Sequence, residues 1–266
     1  MKRWLFVYLI FVSYPLVLSA EKNPFNGFIE NKGQWDNSVK FRKKVPHGFL
    51  LLQDAGWVYY LSNTFDSSHG HLDGHGSGAL QESAAVGLSQ AISTTFVGAN
   101  KNPATSSMEA QSYYHNFFLG AEDHWASSVS EFNEVQYCDL YESIDLKMVS
   151  YGAAFKYDLI VSAGGNPGQI AMEWKGCGDV YLLNDNLIVE TEFGQMIEQK
   201  PFAYQLINED TVEVPARFSV DGQQVSFEFP DGYNKDKTLV IDPLLIFSTY
   251  EHRSFRATTG RFSGEL

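Results

Sequence analysis

The chain has 266 residues and a formal net charge of −13 at pH 7, from 32 Asp and Glu against 19 Lys and Arg. That balance argues against nucleic acid and anionic membrane surfaces as partners, since both need positive charge on the protein. Cys138 and Cys177 are its two cysteines and neither sits in a CxxC pair, which leaves zinc ribbons and thioredoxin-type motifs without support.

Lys2 and Arg3 precede an almost wholly apolar run from Leu5 to Leu18, and Leu18-Ser19-Ala20 is followed by Glu21. This is the pattern of a signal peptide over residues 1–20, cleaved after Ala20. The apolar run is shorter than the ~20 residues that span a bilayer, and no later segment is apolar enough to do so. Export without a remaining transmembrane segment is the expectation.

From Val39 to Lys43 apolar and polar residues alternate, as in a half-buried strand. Gly48 to Gln53 and Trp57 to Leu61 flank Asp54-Ala55-Gly56 and read as a hairpin. Residues 63–90 lose all apolar period and read as a mobile insertion. Within it His69-Gly70-His71-Leu72-Asp73-Gly74-His75 places three imidazoles and a carboxylate close together. His69, His71 and His75 are a candidate zinc, copper or nickel site, weighed against the commoner reading of a solvated glycine-rich loop.

Strands are predicted next at Ile92 to Val97, Tyr113 to Leu119, Glu134 to Cys138, Ile144 to Val149 and Ala154 to Val161, with a helical turn at Glu122 to Trp125. The last third reads as strands at Ile170–Trp174, Val180–Leu183, Leu187–Glu192, Gln195–Gln199, Ala203–Ile207, Val212–Val220, Val225–Phe229 and Leu239–Phe247. Asp221-Gly222 marks a hairpin turn. Pro215 puts the Val212–Val220 strand at an edge or a bulge, because proline has no amide to donate. Asp242-Pro243 interrupts the final strand.

Many short strands with frequent turns predict an all-β fold, an antiparallel sandwich or partly closed barrel. Two packed subdomains are one option, 21–163 and 164–250, divided near Gly164-Gly165. Cys138 and Cys177 close a loop of about 40 residues, and a disulfide there is worth roughly 4 kcal/mol on a chain-entropy argument. Two separate thiols are the equal alternative.

Several motifs resemble a known family together. Phe28-Ile29-Glu30-Asn31-Lys32-Gly33-Gln34-Trp35, Phe96-Val97-Gly98-Ala99-Asn100 and Tyr113-Tyr114-His115-Asn116-Phe117-Phe118-Leu119-Gly120 come first in order. Tyr141-Glu142-Ser143-Ile144-Asp145-Leu146, Lys156-Tyr157-Asp158-Leu159-Ile160-Val161, Pro201-Phe202-Ala203-Tyr204-Gln205 and Leu239-Val240-Ile241-Asp242-Pro243 follow, then Phe247-Ser248-Thr249-Tyr250. They resemble an uncharacterised N-terminal β domain of large secreted proteins of gliding bacteria. That domain precedes SBBP-type β-propeller repeats and, further on, a sorting domain for type IX secretion. The resemblance implies a periplasmic, then surface-exposed or secreted protein linked to adhesion or gliding, with downstream propeller or surface modules as partners. It carries no catalytic residues to transfer. The tail 251–266 departs from the family, with Arg253, Arg256 and Arg261 where the preceding 250 residues hold Arg3, Arg42 and Arg217, and reads as a truncated or frame-shifted end.

Other chemistry is weaker. Asp231-Gly232-Tyr233-Asn234-Lys235-Asp236 has alternating oxygen groups but not the glycine and distal Glu of a calcium loop, so an Asx-stabilised turn is preferred. Asp139, Glu142 and Asp145 are the carboxylates a glycosidase reading would need. Trp35, Trp57, Trp125 and Trp174 are either core or a sugar-stacking platform. The reading is therefore a non-catalytic structural or interaction module without a cofactor. A carbohydrate-binding module with glycan partners is the alternative, and an extracellular hydrolase ranks last.

Overall fold

Alternation builds the fold. In Phe41-Arg42-Lys43-Lys44-Val45 and in Gly48–Gln53 every second residue is buried, the period of a strand with one face in a core. The computed structural model describes residues 26–63, 87–118, 120–208, 210–243 and 245–248. The signal peptide, His69, His71 and His75 of the insertion, and the arginine-bearing tail lie outside those residues. Every strand pairing in it is antiparallel. Among the described residues no helix is long and apolar enough to cross a membrane.

The first strands, β1 (Phe28–Glu30), β2 (Phe41–Val45), β3 (Gly48–Gln53), β4 (Gly56–Ser62) and β5 (Ser89–Phe96), lie side by side in chain order. Gly56 closes the β3–β4 turn at φ +152°, where a Cβ would lie 2.1 Å from the Thr94 carbonyl oxygen, so only glycine fits. β6 (Ala104–Phe117) and β7 (Ala126–Tyr141) form a long hairpin, with a one-turn 3-10 helix at Glu122–His124 between them. β8 (Ile144–Tyr151) and β9 (Ala154–Val161) continue the meander, and β10 (Ala171–Lys175) crosses back to pair with β5.

A smaller four-stranded sheet holds β11 (Val180–Leu183), β12 (Asn186–Thr191), β13 (Gly194–Glu198) and β19 (Leu245–Ser248). The remaining strands join the 15-stranded sheet: β14 (Phe202–Ile207), β15 (Asp210–Val214), β16 (Arg217–Asp221), β17 (Gln224–Glu228) and β18 (Leu239–Asp242).

The large sheet folds over on itself. Trp57 on β4 packs its ring 5.2 Å from Tyr157 and 6.2 Å from Phe155, both on β9. The inner faces of two distant parts of one sheet thus meet as the layers of a sandwich. It does not close into a barrel: β15 and β16 are its two terminal strands and do not pair with each other.

Strand pairing crosses 163/164, because β10 pairs with β5 and β18 with β9, and one buried cluster runs from Phe28 to Ile241. Two expectations are corrected. The single strand expected over Val212–Val220 is two strands at opposite ends of the sheet, with Pro215 and Ala216 carrying the chain across. Proline cannot extend a ladder, so the edge position foreseen for it is where the sheet ends twice. The strand expected over Leu239–Phe247 is likewise two, β18 in the large sheet and β19 in the small one, parted by Pro243.

Candidate functional site

β7 is the spine of the most unusual region. It pairs with β6 along residues 126–138, with β8 over 134–141, and with β1 at Glu131 and Phe132. A strand has two edges, so β6 holds one edge while β8 and β1 lie end to end along the other. Where β8 stops and β1 begins the sheet forks.

Lys43 fills that fork. It lies in phase with Phe41 and Val45 on the inner face of β2 and is fully buried. Its ammonium donates to the Ser150 hydroxyl (2.7 Å), to the Gly152 carbonyl (2.7 Å) and to the Asn26 carbonyl. Burial pulls Lys43 down from 10.5 to about 8, with the nearby Glu131 charge opposing. Glu131, also buried, bonds His115 of β6 at 2.7 Å, and its other oxygen accepts the Gly27 amide at 2.6 Å. A Cβ at Gly27 would lie 2.6 Å from the Glu131 side chain, so this approach requires glycine. One carboxylate thereby ties the start of β1 to β6.

On the outer face of β2, Arg42 is clamped by rings. Its guanidinium carbon lies 4.1 Å from the Trp35 centroid, 4.5 Å from Phe49 and 5.9 Å from Phe117. Trp35 and Phe117 meet edge to face at 5.4 Å. Ile29, Ala126 and Val129 form the small apolar cluster beneath them. Burial lowers Arg42 to about 10.

The third element is β6 itself, an arm of 14 residues that pairs only with β7 among the described residues. Among the described residues no strand lies beside its far edge, and most of its residues are exposed. Glu109 takes a left-handed φ of +56°, next to the register shift between Ala110 and Tyr114 that bends the arm. Beyond the bend the aromatic Tyr113, Tyr114, Phe118 and Trp125 are exposed, with Phe118 and Trp125 in edge contact at 5.6 Å.

A second buried polar group sits between the sheets. Glu198 of β13 accepts the Tyr157 hydroxyl at 2.9 Å, while its other oxygen has no hydrogen-bond partner among the described residues. Burial raises its carboxyl to about 7, partly offset by that hydrogen bond. Tyr59 and Tyr157 are pushed well above the ordinary phenol range by burial and by the Glu198 charge.

The other sequence candidates are placed as follows. Cys138 and Cys177 are two separate half-buried thiols, Cys138 on β7 and Cys177 in the turn after β10, where its thiol bonds Gln223 at 3.3 Å. Burial raises both thiols above their ordinary value, and the Asp145 and Asp139 charges add to this at Cys138. Titration of the unfolded, unreduced protein should therefore find two reactive thiols per chain, and a count of zero would restore the disulfide. Among the described residues no group of three His, Cys, Asp or Glu side chains could hold a metal ion.

Asp145 is committed to structure, accepting from the Asp139 amide (2.8 Å) and the Gln136 side chain (3.0 Å). The Asp231–Asp236 loop is an Asx turn, with the Asp236 amide bonded to Asn234 Oδ1 at 2.9 Å. Trp57 and Trp174 are core residues on either side of Thr94, whereas Trp35 belongs to the Arg42 clamp and Trp125 to the arm's exposed end.

Arg42, Lys43, Glu131 and Glu198 escaped notice in the sequence. The available signal was phase: Lys43 and Glu198 fall on alternating positions otherwise held by buried apolar residues.

Fold and site together define an all-β antiparallel domain with a projecting arm and a ring-clamped cation. The chain belongs to DUF7948, a family described as a domain of unknown function, whose model matches residues 28–244. No curated protein and no solved structure matches it.

Proposed function

We propose that this domain is a non-catalytic interaction module of an exported cell-surface or secreted protein, adhesion- or gliding-associated, that docks to downstream propeller or surface modules. The free edge of the β6 arm carries the reading. Ala104-Thr105-Ser106-Ser107-Met108 contains no charge and no proline, the usual devices that keep an edge from pairing. An extended partner strand gains main-chain hydrogen bonds along such an edge, and the aromatic end beyond the bend supplies apolar contact. The commitment of Asp145 to a backbone turn supports the non-catalytic part.

A photo-crosslinking residue at Ser106 or Tyr114 tests this in producing cells. One discrete partner band on the cell surface is expected from both positions and none from Ser219 on β16. Equal labelling from all three positions, or none from any, overturns it. So does glycan hydrolysis by the purified chain.

A further inference from the structure

We propose that Arg42, held between Trp35 and Phe49 with Lys44 beside it, binds the carboxylate of an acidic sugar unit. Arg42 and Arg217 are the arginines of the described residues, and they differ in kind. Arg217 spends its guanidinium on Glu228, at 2.6 and 2.8 Å. Arg42 has no acceptor among the described residues.

The neighbouring acids are already taken. Glu30 bonds Lys32 at 2.9 Å, Asp54 bonds Lys40 at 3.3 Å, and Glu131 bonds His115 at 2.7 Å. Lys44 shares the outer face of β2 with Arg42, is exposed, and has no ion-pair partner among the described residues. The stretch from Lys32 to Lys44 thus concentrates five cations in a chain of net charge −13, and three of them pair with no acid among the described residues: Lys43, buried on the inner face, and Arg42 and Lys44 on the outer one. The average charge of the chain conceals this local surplus.

The geometry selects the ligand. Rings within 4.1 and 4.5 Å of its central carbon confine the guanidinium while its N–H groups find no acceptor among the described residues, and a carboxylate can accept two parallel bonds from such a group. Rings also make the position rigid, so little side-chain entropy is lost on binding. A peptide has little else to hold at Arg42 itself, because that residue is paired on both edges, to Ile29 of β1 and Leu51 of β3, and leaves no backbone edge open there. Recognition on this face must come from side chains alone. Tyr60, cross-strand from Phe49 and 41% exposed, extends the aromatic surface on which the C–H face of a pyranose can lie. A charged group on an aromatic floor matches an acidic sugar.

This site touches the arm at Phe117 but uses none of its free edge at Ala104–Met108, and the two proposals fail separately. Calorimetry of the full chain with oligogalacturonate is the test, with its methyl ester, polyglutamate and sodium sulfate as comparison ligands. Oligogalacturonate should bind and its methyl ester should not. Arg42→Gln should weaken binding at least tenfold. Arg42→Lys, which keeps the charge and the stem but not the fork, should weaken it similarly and guards against a folding defect in the first variant. Tyr114→Ser on the arm should leave it unchanged. Absence of oligogalacturonate binding, indifference to both Arg42 variants, or equally tight binding of polyglutamate or sulfate overturns the proposal.

Discussion

Replacing Glu198 with Gln should raise the melting temperature at pH 8 relative to wild type and leave the two proteins much closer at pH 4.5. The carboxyl is raised from 4.5 to about 7 by burial between the sheets. Such a displacement corresponds to about 3 kcal/mol. Below pH 4.5 the group is protonated in folded and unfolded chains alike and contributes no pH dependence. Between pH 4.5 and 7 the unfolded chain releases its proton while the folded chain keeps it. The folded state loses stability across that window, and above pH 7 it carries the whole deficit.

Gln keeps an oxygen for the Tyr157 hydroxyl and cannot ionise. Its amide hydrogens cost something in a dry site, but equally at every pH, so the pH-dependent part of the difference isolates the carboxyl. Asp158, also raised by burial, titrates in both proteins and cancels. For a chain of this size about 3 kcal/mol is a shift of roughly 6–12 °C. Calorimetric melts of both proteins at pH 4.5, 6, 7 and 8 give the curve. A difference that stays flat across that range would falsify the account. The groups nearest Glu198 explain why nothing else compensates: Tyr59 and Tyr157 face it, and neither carries a positive charge.

The sequence exposed the strands whose faces differ and hid those whose faces do not. Gly48–Gln53 and Gly56–Ser62 bury alternate residues against Trp57 and its neighbours, so their period survives in the amino acids. The β6 arm lacks a buried face over most of its length, and Ala104–Ser112 accordingly shows no alternation. Only its aromatic end, Tyr113 onward, looked like a strand. The same holds for Ala126–Asn133 of β7, whose inward and outward residues are both packed in part, against β1 on one edge and the arm on the other.

In the sequence Pro215 marks an edge or a bulge and Pro243 an interruption, because local chemistry shows that a ladder stops but not where the chain goes next. Each marks a crossing, one between the ends of the large sheet and one between sheets. The Arg42 clamp was illegible for another reason. Trp35, Phe49 and Phe117 come from three separate segments, and only the fold brings them to one guanidinium.

At the fork, two substitutions separate what the Lys43 stem does from what its charge does. Lys43→Ala removes a fully buried chain beside the Phe28 ring and leaves a cavity between β1 and the end of β8. Loss of a stem of that size costs about 3 kcal/mol, and melting should fall by roughly 6–12 °C at pH 7. The opening should be local as well, with the amides of Phe28, Ile29 and Glu30 exchanging faster than those of β3 and β4.

Lys43→Met refills the cavity without the ammonium. The Gly152 carbonyl loses its donor, but Ser150 still donates to Asn26, and the cost of burying a charge disappears. Those opposing effects leave Lys43→Met near wild type at pH 7. The pH response then distinguishes them. The wild-type amine is lowered from 10.5 to about 8. Below pH 8 it is charged in both states. From pH 8 toward 10.5 the folded amine is neutral while the unfolded one stays charged, so wild-type stability rises with pH. By pH 9.5 that gain is about 2 kcal/mol, and Lys43→Met lacks it. The wild-type advantage over Lys43→Met should therefore widen between pH 7 and 9.5. A gap that stays constant, or protection at Phe28–Glu30 that survives Lys43→Ala, removes Lys43 as the group that holds the fork.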